Sequence, residues 1–258
     1  MYLPEAFAER DPALLARFID AFPLGLLITS GQRGPTSDAG AADAEAAEAR
    51  VSETSAGMIA ANLLPFEFAA GAAGSGVLRA HIARANPLWQ ATSSARADLD
   101  ASSEVLVVFQ GPQSYVSPGW YASKKVHGKV VPTWNYTMVQ ARGRMRMIDD
   151  AGWLTALITR LTARHESAFE QPWAPGDAPR DYLDGMIRAI VGIEIEVQSL
   201  VGKWKLSQNR DAADRSGVVA GLTQQARRNG NALPADPALP AAGALAAWMR
   251  AAATDLSS

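Results

Sequence analysis

The chain has 258 residues, of which 48% are hydrophobic and 19% charged, and its formal net charge is −2. This composition is typical of a globular protein with a sizeable core and excludes a wholly disordered chain. Since the sequence has no cysteine, disulfides, thiolate metal sites and cysteine nucleophiles are excluded. The N-terminus lacks signal-peptide features and no apolar run approaches a membrane span, so we expect a cytoplasmic protein.

The first predicted elements are a helix and a strand. Asp11 and Pro12 form a helix start, and apolar residues then recur at helical spacing up to Phe22. A short apolar strand follows from Leu24 to Thr29. Residues 31–57 are rich in small and acidic residues without apolar periodicity, which predicts an exposed insertion.

Most of the remaining predicted elements are strands. The strand-like patterns cover residues 58–68, 77–82, 105–109, 131–148 and 193–197. The helical patterns begin at Asn86, cover residues 153–161 and 182–190, and return in the tail after residue 211. Many strands joined by short turns, with helices outside, predict one antiparallel barrel of the α+β class with peripheral helices.

Residues 81–87 form the first of four segments that are rich in polar and aromatic side chains. This segment ends a strand at a helix start, where free backbone N–H groups favour a phosphate. Arg84 would supply positive charge there and His81 a further hydrogen-bond donor. The alternative is that Asn86 only caps the helix and that Arg84 is solvated.

The second and third segments, residues 110–121 and 131–136, are rich in aromatic side chains that also carry a polar group. These are Tyr115, Trp120, Tyr121, Trp134 and Tyr136. Such side chains suit a planar ring ligand or a dimer interface, and ordinary core packing is the alternative.

The fourth segment, residues 203–210, is basic. It lies in a stretch from Val197 to Arg210 that has no carboxylate and carries Lys203 and Lys205 as well as Arg210. A few such groups are enough to bind a compact anion such as a phosphorylated cofactor. A solvated basic loop is the alternative.

Familiar catalytic motifs are absent from the sequence. His81, His127 and His165 are widely separated and form no HExxH pair, so no metal site is predicted. The sequence contains neither a G-x-S-x-G elbow nor a Walker sequence. Glu194 and Glu196 lie on one face of an alternating strand, where we expect them to be solvated. The catalytic residues, if any, stay unassigned.

Together with the N-terminal Met-Tyr-Leu-Pro, the four segments resemble the PaiB family of FMN-binding negative transcriptional regulators. The resembling sequences are HIARANPLW, VFQGPQSYVSPGWY, VPTWNY and KLSQNR. The resemblance implies an antiparallel split β-barrel related to pyridoxamine-phosphate oxidases and flavin reductases, with FMN at the interface of a homodimer. It covers residues 1–222, which we expect to form one FMN-binding domain, followed by a helical tail over residues 223–258.

The resemblance also implies which residues hold FMN. The phosphate would lie near the segment from His81 to Asn86, and the isoalloxazine ring along residues 62–64. The implied cofactor-binding residues are Asn62, Leu63, His81, Arg84, Asn86, Gln110, Ser117, Trp134, Lys205, Gln208 and Arg210. Leu63 and Gln140 stand where relatives are expected to have histidine, which weakens a histidine-based mechanism.

Three functions follow as expectations. The resemblance implies a negative transcriptional regulator that senses or carries flavin. An FMN-dependent oxidoreductase using NAD(P)H or a small substrate is the alternative, because a bound flavin supplies redox chemistry without a visible acid or base. Direct DNA binding would use a basic face of the tail helix, with Arg215, Arg227 and Arg228, although the net charge opposes it.

Overall fold

The computed structural model describes residues 1–30, 59–71, 76–89, 103–230 and 249. The expected insertion at residues 31–57 and most of the expected tail lie outside these residues. Within the described part of the chain, no helix is long and apolar enough to cross a membrane.

The described residues form strands and helices in an α+β arrangement. The strands are β1 (Ala8–Glu9), β2 (Leu24–Ser30), β3 (Ile59–Pro65), β4 (Glu67–Ala70), β5 (Gly76–Ala83), β6 (Ser103–Val116), β7 (Thr133–Ile148) and β8 (Ile190–Lys205). The helices are α1 (Pro12–Ala21), α2 (Lys124–His127), α3 (Ala151–Glu166), α4 (Arg180–Arg188) and α5 (Ala212–Gly230).

The order of the strands shows that the sheet closes into a barrel. It runs β3-β2-β6-β7-β8-β5-β4, with β1 paired to β8. The two end strands, β3 and β4, are separated along the chain by Phe66 alone, whose N–H donates to the carbonyl of Pro23 at 2.8 Å. Because one residue joins the two ends of the sheet, the sheet must roll up until they meet. The expected antiparallel split β-barrel with peripheral helices is confirmed.

The chain divides into two compact units. Unit 1 contains Met1–Phe22, Phe109–Gln140 and Leu200–Ser258, and unit 2 contains Pro23–Val108 and Ala141–Ser199. Strands β6, β7 and β8 have residues in both units. Helix α5 continues past residue 222 to Gly230, so the expected domain boundary at 222 falls inside a helix and stays a prediction.

Unit 2 owes its core to alternating apolar residues on β5 and β8. Leu78 pairs with Ile195 and Ala80 with Ile193, and all four side chains are fully buried. Every second residue of a strand faces the same side, so this register directs one apolar row from each strand inward.

Unit 1 is built around α1, which begins as the sequence predicts. Pro12 is its first residue, and the Asp11 carboxylate accepts a hydrogen bond from the Ala13 N–H at 2.9 Å. The helix buries Phe18, whose ring centre lies 4.9 Å from that of Trp204 on β8.

Two predicted strand boundaries are wrong. The pattern at residues 193–197 predicts a short strand, whereas β8 is a single strand from Ile190 to Lys205. Exposed Gln198 and Ser199 interrupt the apolar alternation without interrupting the hydrogen-bonded backbone. Strand β6 likewise continues to Val116, beyond its predicted end at residue 109, so most of the predicted 110–121 segment is strand.

Candidate functional site

In unit 2, the segment after β5 is held against β3 by two asparagines. The Asn86 side-chain oxygen accepts from the Leu88 N–H at 2.9 Å, which confirms the predicted cap at the start of helical residues 87–89. Its amide nitrogen donates to the Asn62 side-chain oxygen at 2.9 Å. The structure therefore brings together two of the predicted cofactor-binding residues that are distant in the sequence.

Arg84 is not simply solvated, because an ion pair holds its guanidinium. It donates from Nε to the Arg188 carbonyl at 2.7 Å and forms a two-point contact with Asp149, whose Oδ2 lies 3.0 Å from one terminal nitrogen. The hydrogen bonds that Arg84 donates to the Asp149 carboxylate raise the pKa of Arg84. A guanidinium has five N–H donors, so two remain for a further ligand. Sequence reasoning missed Asp149, which lies directly after β7.

His81 is the least satisfied polar side chain of this region. It lies half-buried on β5 opposite Gly192, and its Nδ1 is buried with no hydrogen-bond partner in the described part of the chain. Burial lowers the pKa of His81, which favours the neutral ring. A buried polar atom without a partner costs free energy, so this nitrogen fits a ligand that completes its hydrogen bonding.

Leu63 and Gln110 are exposed at separate places in the chain. Leu63, on β3, exposes 58% of its surface, and it presents no polar group to a ligand. Gln110 is exposed on β6 in unit 1.

In unit 1, the segment after β6 is anchored to α5. Ser117 caps the short 3₁₀ turn Pro118–Trp120 by accepting from the Gly119 N–H at 3.1 Å. A Cβ at Gly221 of α5 would fall 2.3 Å from Cδ2 of Trp120, so the indole lies directly on the helix. The structure thus gives Ser117 a role in the turn itself.

A second contact fixes the same segment. Ser123 donates to the Asp214 carboxylate from its N–H at 2.9 Å and from its hydroxyl at 2.7 Å. The backbone hydrogen bond from Ser123 is the largest cause of the lowered pKa of Asp214. Asp214 therefore stays a carboxylate and ties the segment to the start of α5.

The chain forms a tightly constrained turn after Lys205. Ser207 has a φ of +64°, a conformation that costs free energy for a residue other than glycine. Gln208 accepts from the Leu206 N–H at 2.7 Å and donates to the Trp204 carbonyl, so its amide closes the turn. The Arg210 N–H donates to the Ser207 carbonyl at 3.0 Å. Lys205 and Arg210 are an odd number of positions apart, so a regular strand would direct them to opposite faces, and this turn interrupts that alternation.

Lys203 and Lys205, which we call the lysine pair, lie close to one aromatic ring. Their ammonium nitrogens are 5.5 and 5.9 Å from the ring centre of Tyr136 on β7. Lys205 also donates to the Trp134 carbonyl. Trp134 is half exposed and lies edge-on to Tyr115, with ring centres 6.2 Å apart. Lys203 is missing from the predicted cofactor-binding residues, although its place two residues before Lys205 on a strand could have indicated it.

A known sequence family matches most of this chain. The family described as "Putative FMN-binding domain" matches residues 1–199, and the chain belongs to it. FMN is the cofactor of that family and therefore of this protein. When bound, FMN supplies hydride or electron transfer, while the protein binds and orients it.

Individual relatives agree with this membership. The chain is 33% identical to an uncharacterized protein of Emericella nidulans over 86% of this chain and 90% of the relative. It is 31% identical to the protease synthase and sporulation protein PAI 2 of Bacillus subtilis, over 58% of this chain and 66% of that protein. Because the PAI 2 protein is a PaiB protein, this chain is PaiB-like as well as FMN-binding.

Solved structures with weak overall similarity include two flavoproteins. The flavocytochrome Anf3 of Azotobacter vinelandii has a TM-score of 0.48 and 13% identity, over 81% of this chain and 75% of that one. A pyridoxamine 5′-phosphate oxidase-related FMN-binding protein of Nostoc punctiforme has a TM-score of 0.35 and 10% identity, over 74% and 81% of the two chains. The fold assignment rests on the sheet topology itself.

The described residues fit a phosphorylated planar ligand in their chemistry. Unit 2 offers the partnerless Nδ1 of His81 and two spare N–H groups of Arg84. Unit 1 offers the half-exposed Trp134 and the ammonium group of Lys205. These groups match what FMN requires, namely an anion partner and apolar ring contacts.

Proposed function

We propose that the protein binds FMN and that each of the two units carries binding residues. His81, Arg84 and Asn86 would hold the phosphate, and residues 62–64, with Asn62 and Leu63, would lie along the ring. Gln110, Ser117, Trp134, Lys205, Gln208 and Arg210 complete the proposed set, with Ser117 and Gln208 contributing mainly through the turns they hold. Family membership over residues 1–199 is the observation that carries this proposal.

The proposed biological role is flavin-dependent negative regulation of gene expression in the cytoplasm. The relative from Bacillus subtilis carries a name that refers to protease synthesis and sporulation, which supports a regulatory role. The formal net charge of −2 favours regulation through a partner molecule over broad contact with duplex DNA. Arg227 and Arg228 are exposed in the last turn of α5, whereas Arg215 is half-buried, so direct binding would rely on few cations.

The first experiment measures the absorbance of the purified protein and its thermal stability with FMN and with riboflavin. A ligand at 100 times its Kd stabilises the folded state by about 2.7 kcal/mol. We expect a yellow protein that FMN stabilises more than riboflavin does, because riboflavin lacks the phosphate. Colourless protein that FMN fails to stabilise would contradict the proposal.

An FMN-dependent oxidoreductase is the second candidate, and the lysine pair favours it. Neither Lys203 nor Lys205 forms an ion pair within the described residues, which suits a protein that takes an anionic substrate in addition to its cofactor. Mixing the FMN-loaded protein with NAD(P)H under anaerobic conditions tests this candidate. Rapid bleaching of the flavin absorbance supports an oxidoreductase, and an unchanged spectrum supports a regulator.

We also propose that the protein is a homodimer through an apolar face of β2 and β3. Leu24, Ile59 and Leu63 expose 52%, 74% and 58% of their surfaces, and Leu26 pairs with Leu63 across the two strands. Contiguous exposed apolar side chains typically mark an interface. Light scattering should give a dimer that Leu63→Asp dissociates. Val126→Asp, at an 83% exposed position in α2, is the control and should stay dimeric.

A further inference from the structure

The two side chains of the lysine pair occupy one face of β8. Between them, Trp204 faces the opposite side and lies 4.9 Å from Phe18 of α1, measured between ring centres. Because alternate residues of a strand share a face, Lys203 and Lys205 project together on the side of Tyr136. Lys203 is only 8% exposed, which is exceptional for lysine.

The charges of the lysine pair are not balanced by a carboxylate in the described part of the chain. Lys203 Nζ donates to the Tyr2 carbonyl at 2.9 Å, and Lys205 Nζ donates to the Thr133 hydroxyl and the Trp134 carbonyl. An ammonium group has three N–H donors, so Lys203 keeps two and Lys205 keeps one. All of the recorded acceptors are neutral.

The positive charges of Lys203 and Lys205 therefore raise the electrostatic free energy of this part of unit 1. Burial, followed by repulsion from Lys203 and Arg210, lowers the pKa of Lys205. The buried charges of unit 2 behave differently, since Glu194 is paired with Arg79 at 3.0 Å. A buried charge without a partner of opposite sign costs free energy, and cation–π contacts with Tyr136 offset only part of this cost.

We propose that the lysine pair is a binding site for a compact anion, a phosphate or carboxylate group of a small-molecule ligand. Two oxygens of one such group can accept the spare N–H donors of both lysines, as charge-assisted hydrogen bonds. The ring of Tyr136 adjoins the site. Trp134 is half exposed and lies two residues earlier on the same face of β7, so both rings can offer apolar contact to the rest of the ligand. This inference rests on the proposed function and deepens it, because it gives an FMN-binding protein an anion site in unit 1 in addition to the one proposed at Arg84 in unit 2.

The test compares Lys203→Met and Lys205→Met with Lys124→Met, a control at an exposed position of α2. Methionine retains an unbranched apolar stem without the charge. Inorganic phosphate and acetate are titrated by calorimetry into the full chain, both FMN-loaded and FMN-free. We expect phosphate affinity to fall about 10- to 100-fold in either site variant and to stay unchanged in the control.

A second readout separates ligand binding from a structural role. Without any added anion, Lys203→Met should raise the melting temperature, because it removes an unbalanced buried charge. If Lys203 only supported the fold, Lys203→Met would lower the melting temperature. The proposal is overturned if neither anion binds wild-type protein, or if both bind Lys203→Met as tightly as wild type.

Comparing phosphate binding to the FMN-loaded and the FMN-free protein identifies the molecule that carries the anion. If FMN loading abolishes phosphate binding and Lys203→Met weakens FMN but not riboflavin, the site takes the phosphate of FMN itself. If phosphate binds the FMN-loaded protein, the site takes a separate ligand. Both results support the anion site. Phosphate binding by a protein that binds no FMN would remove the proposed function and leave this inference standing.

Discussion

Asn135 and Ser207 exchange hydrogen bonds across unit 1, although 72 residues separate them in the chain. Asn135 Nδ2 donates to Ser207 Oγ at 3.0 Å, and Ser207 Oγ donates to Asn135 Oδ1 at 3.1 Å. Both side chains are buried. This exchange fixes the turn after β8 to β7, where it offsets the strain of the left-handed backbone at Ser207.

We predict that Ser207→Ala destabilises the protein by about 1–3 kcal/mol, because it leaves the buried Asn135 amide without its oxygen partner. Ser207→Gly should destabilise it less, since glycine adopts the positive φ without steric cost. Urea unfolding measures both changes. Ser216→Ala, at an exposed position of α5, is the control and should lie within about 0.5 kcal/mol of wild type. Equal stability of Ser207→Ala and wild type would contradict the assigned contact.

We predict that substitutions of Glu194 and Glu196 have different effects on stability, although the sequence pattern predicts that both side chains are solvated. Glu194 accepts from Nε of Arg79 and Nε of Arg146, each at 3.0 Å, and only 13% of its side chain is exposed. Glu194→Gln should cost about 1–3 kcal/mol at pH 7, because it leaves two arginines with a weaker partner. Glu196→Gln, at an exposed position of the same strand, should change stability little.

The pH dependence of the Glu194 contribution has a definite sign. Burial works to raise the pKa of Glu194, but hydrogen bonds from Arg146 and Arg79 outweigh it and leave the pKa below the ordinary value of 4.5. The stabilisation is therefore present above pH 4.5 and lost as the pH falls through the folded-state value. Urea unfolding of wild type and Glu194→Gln should converge at acidic pH. A constant difference between the two would contradict the ion pairs.

Local signals in the sequence predict a large part of the fold. The Asp11-Pro12 start of α1 depends on one side chain capping its own helix, and the cap by Asn86 is of the same kind. Apolar alternation on β5 and β8 likewise reflects the sheet period of two. Such features are decided by neighbouring residues, so a single sequence contains them.

Contacts between distant segments could not be predicted in this way. The hydrogen-bond exchange of Asn135 with Ser207 and the pairing of Arg84 with Asp149 depend on strand register. The sequence therefore predicts a polar segment at residues 81–87 but leaves open whether Arg84 is solvated. The burial of Lys203 is equally non-local, because Tyr2 and Tyr136 cover it from other elements.

We predict that His81 makes the protein less stable at acidic pH. Burial lowers the pKa of His81 below its ordinary value of 6.5. Its favourable neutral form thus contributes stability above pH 6.5 that is lost as the pH falls through the folded-state value. Unfolding free energies at pH 7.5 and 5.5 should differ more in wild type than in His81→Gln. His165→Gln, at an exposed position of α3, should behave like wild type, and a similar pH response in His81→Gln would refute the prediction.

The last prediction concerns the proposed phosphate contact of Arg84. Arg84→Ala should weaken FMN binding about 10- to 100-fold, because hydrogen bonds between charged groups are worth about 1.5–3 kcal/mol each. Lys124→Ala, at an exposed position of α2, should leave the affinity unchanged. Fluorescence titration with FMN and with riboflavin measures the effect, and riboflavin affinity should be the same in all three proteins.

Asp149 provides the control that separates phosphate binding from structural support. In the ion pair, Asp149 neutralises the Arg84 guanidinium and competes with a phosphate for its donors. Asp149→Asn removes this negative charge, so it should tighten FMN binding if Arg84 contacts the phosphate, while stability falls. If Arg84 only supports the fold, Asp149→Asn and Arg84→Ala should lower stability together and leave the preference for FMN over riboflavin unchanged. That outcome would place the phosphate elsewhere, and the lysine pair would be the next site to test.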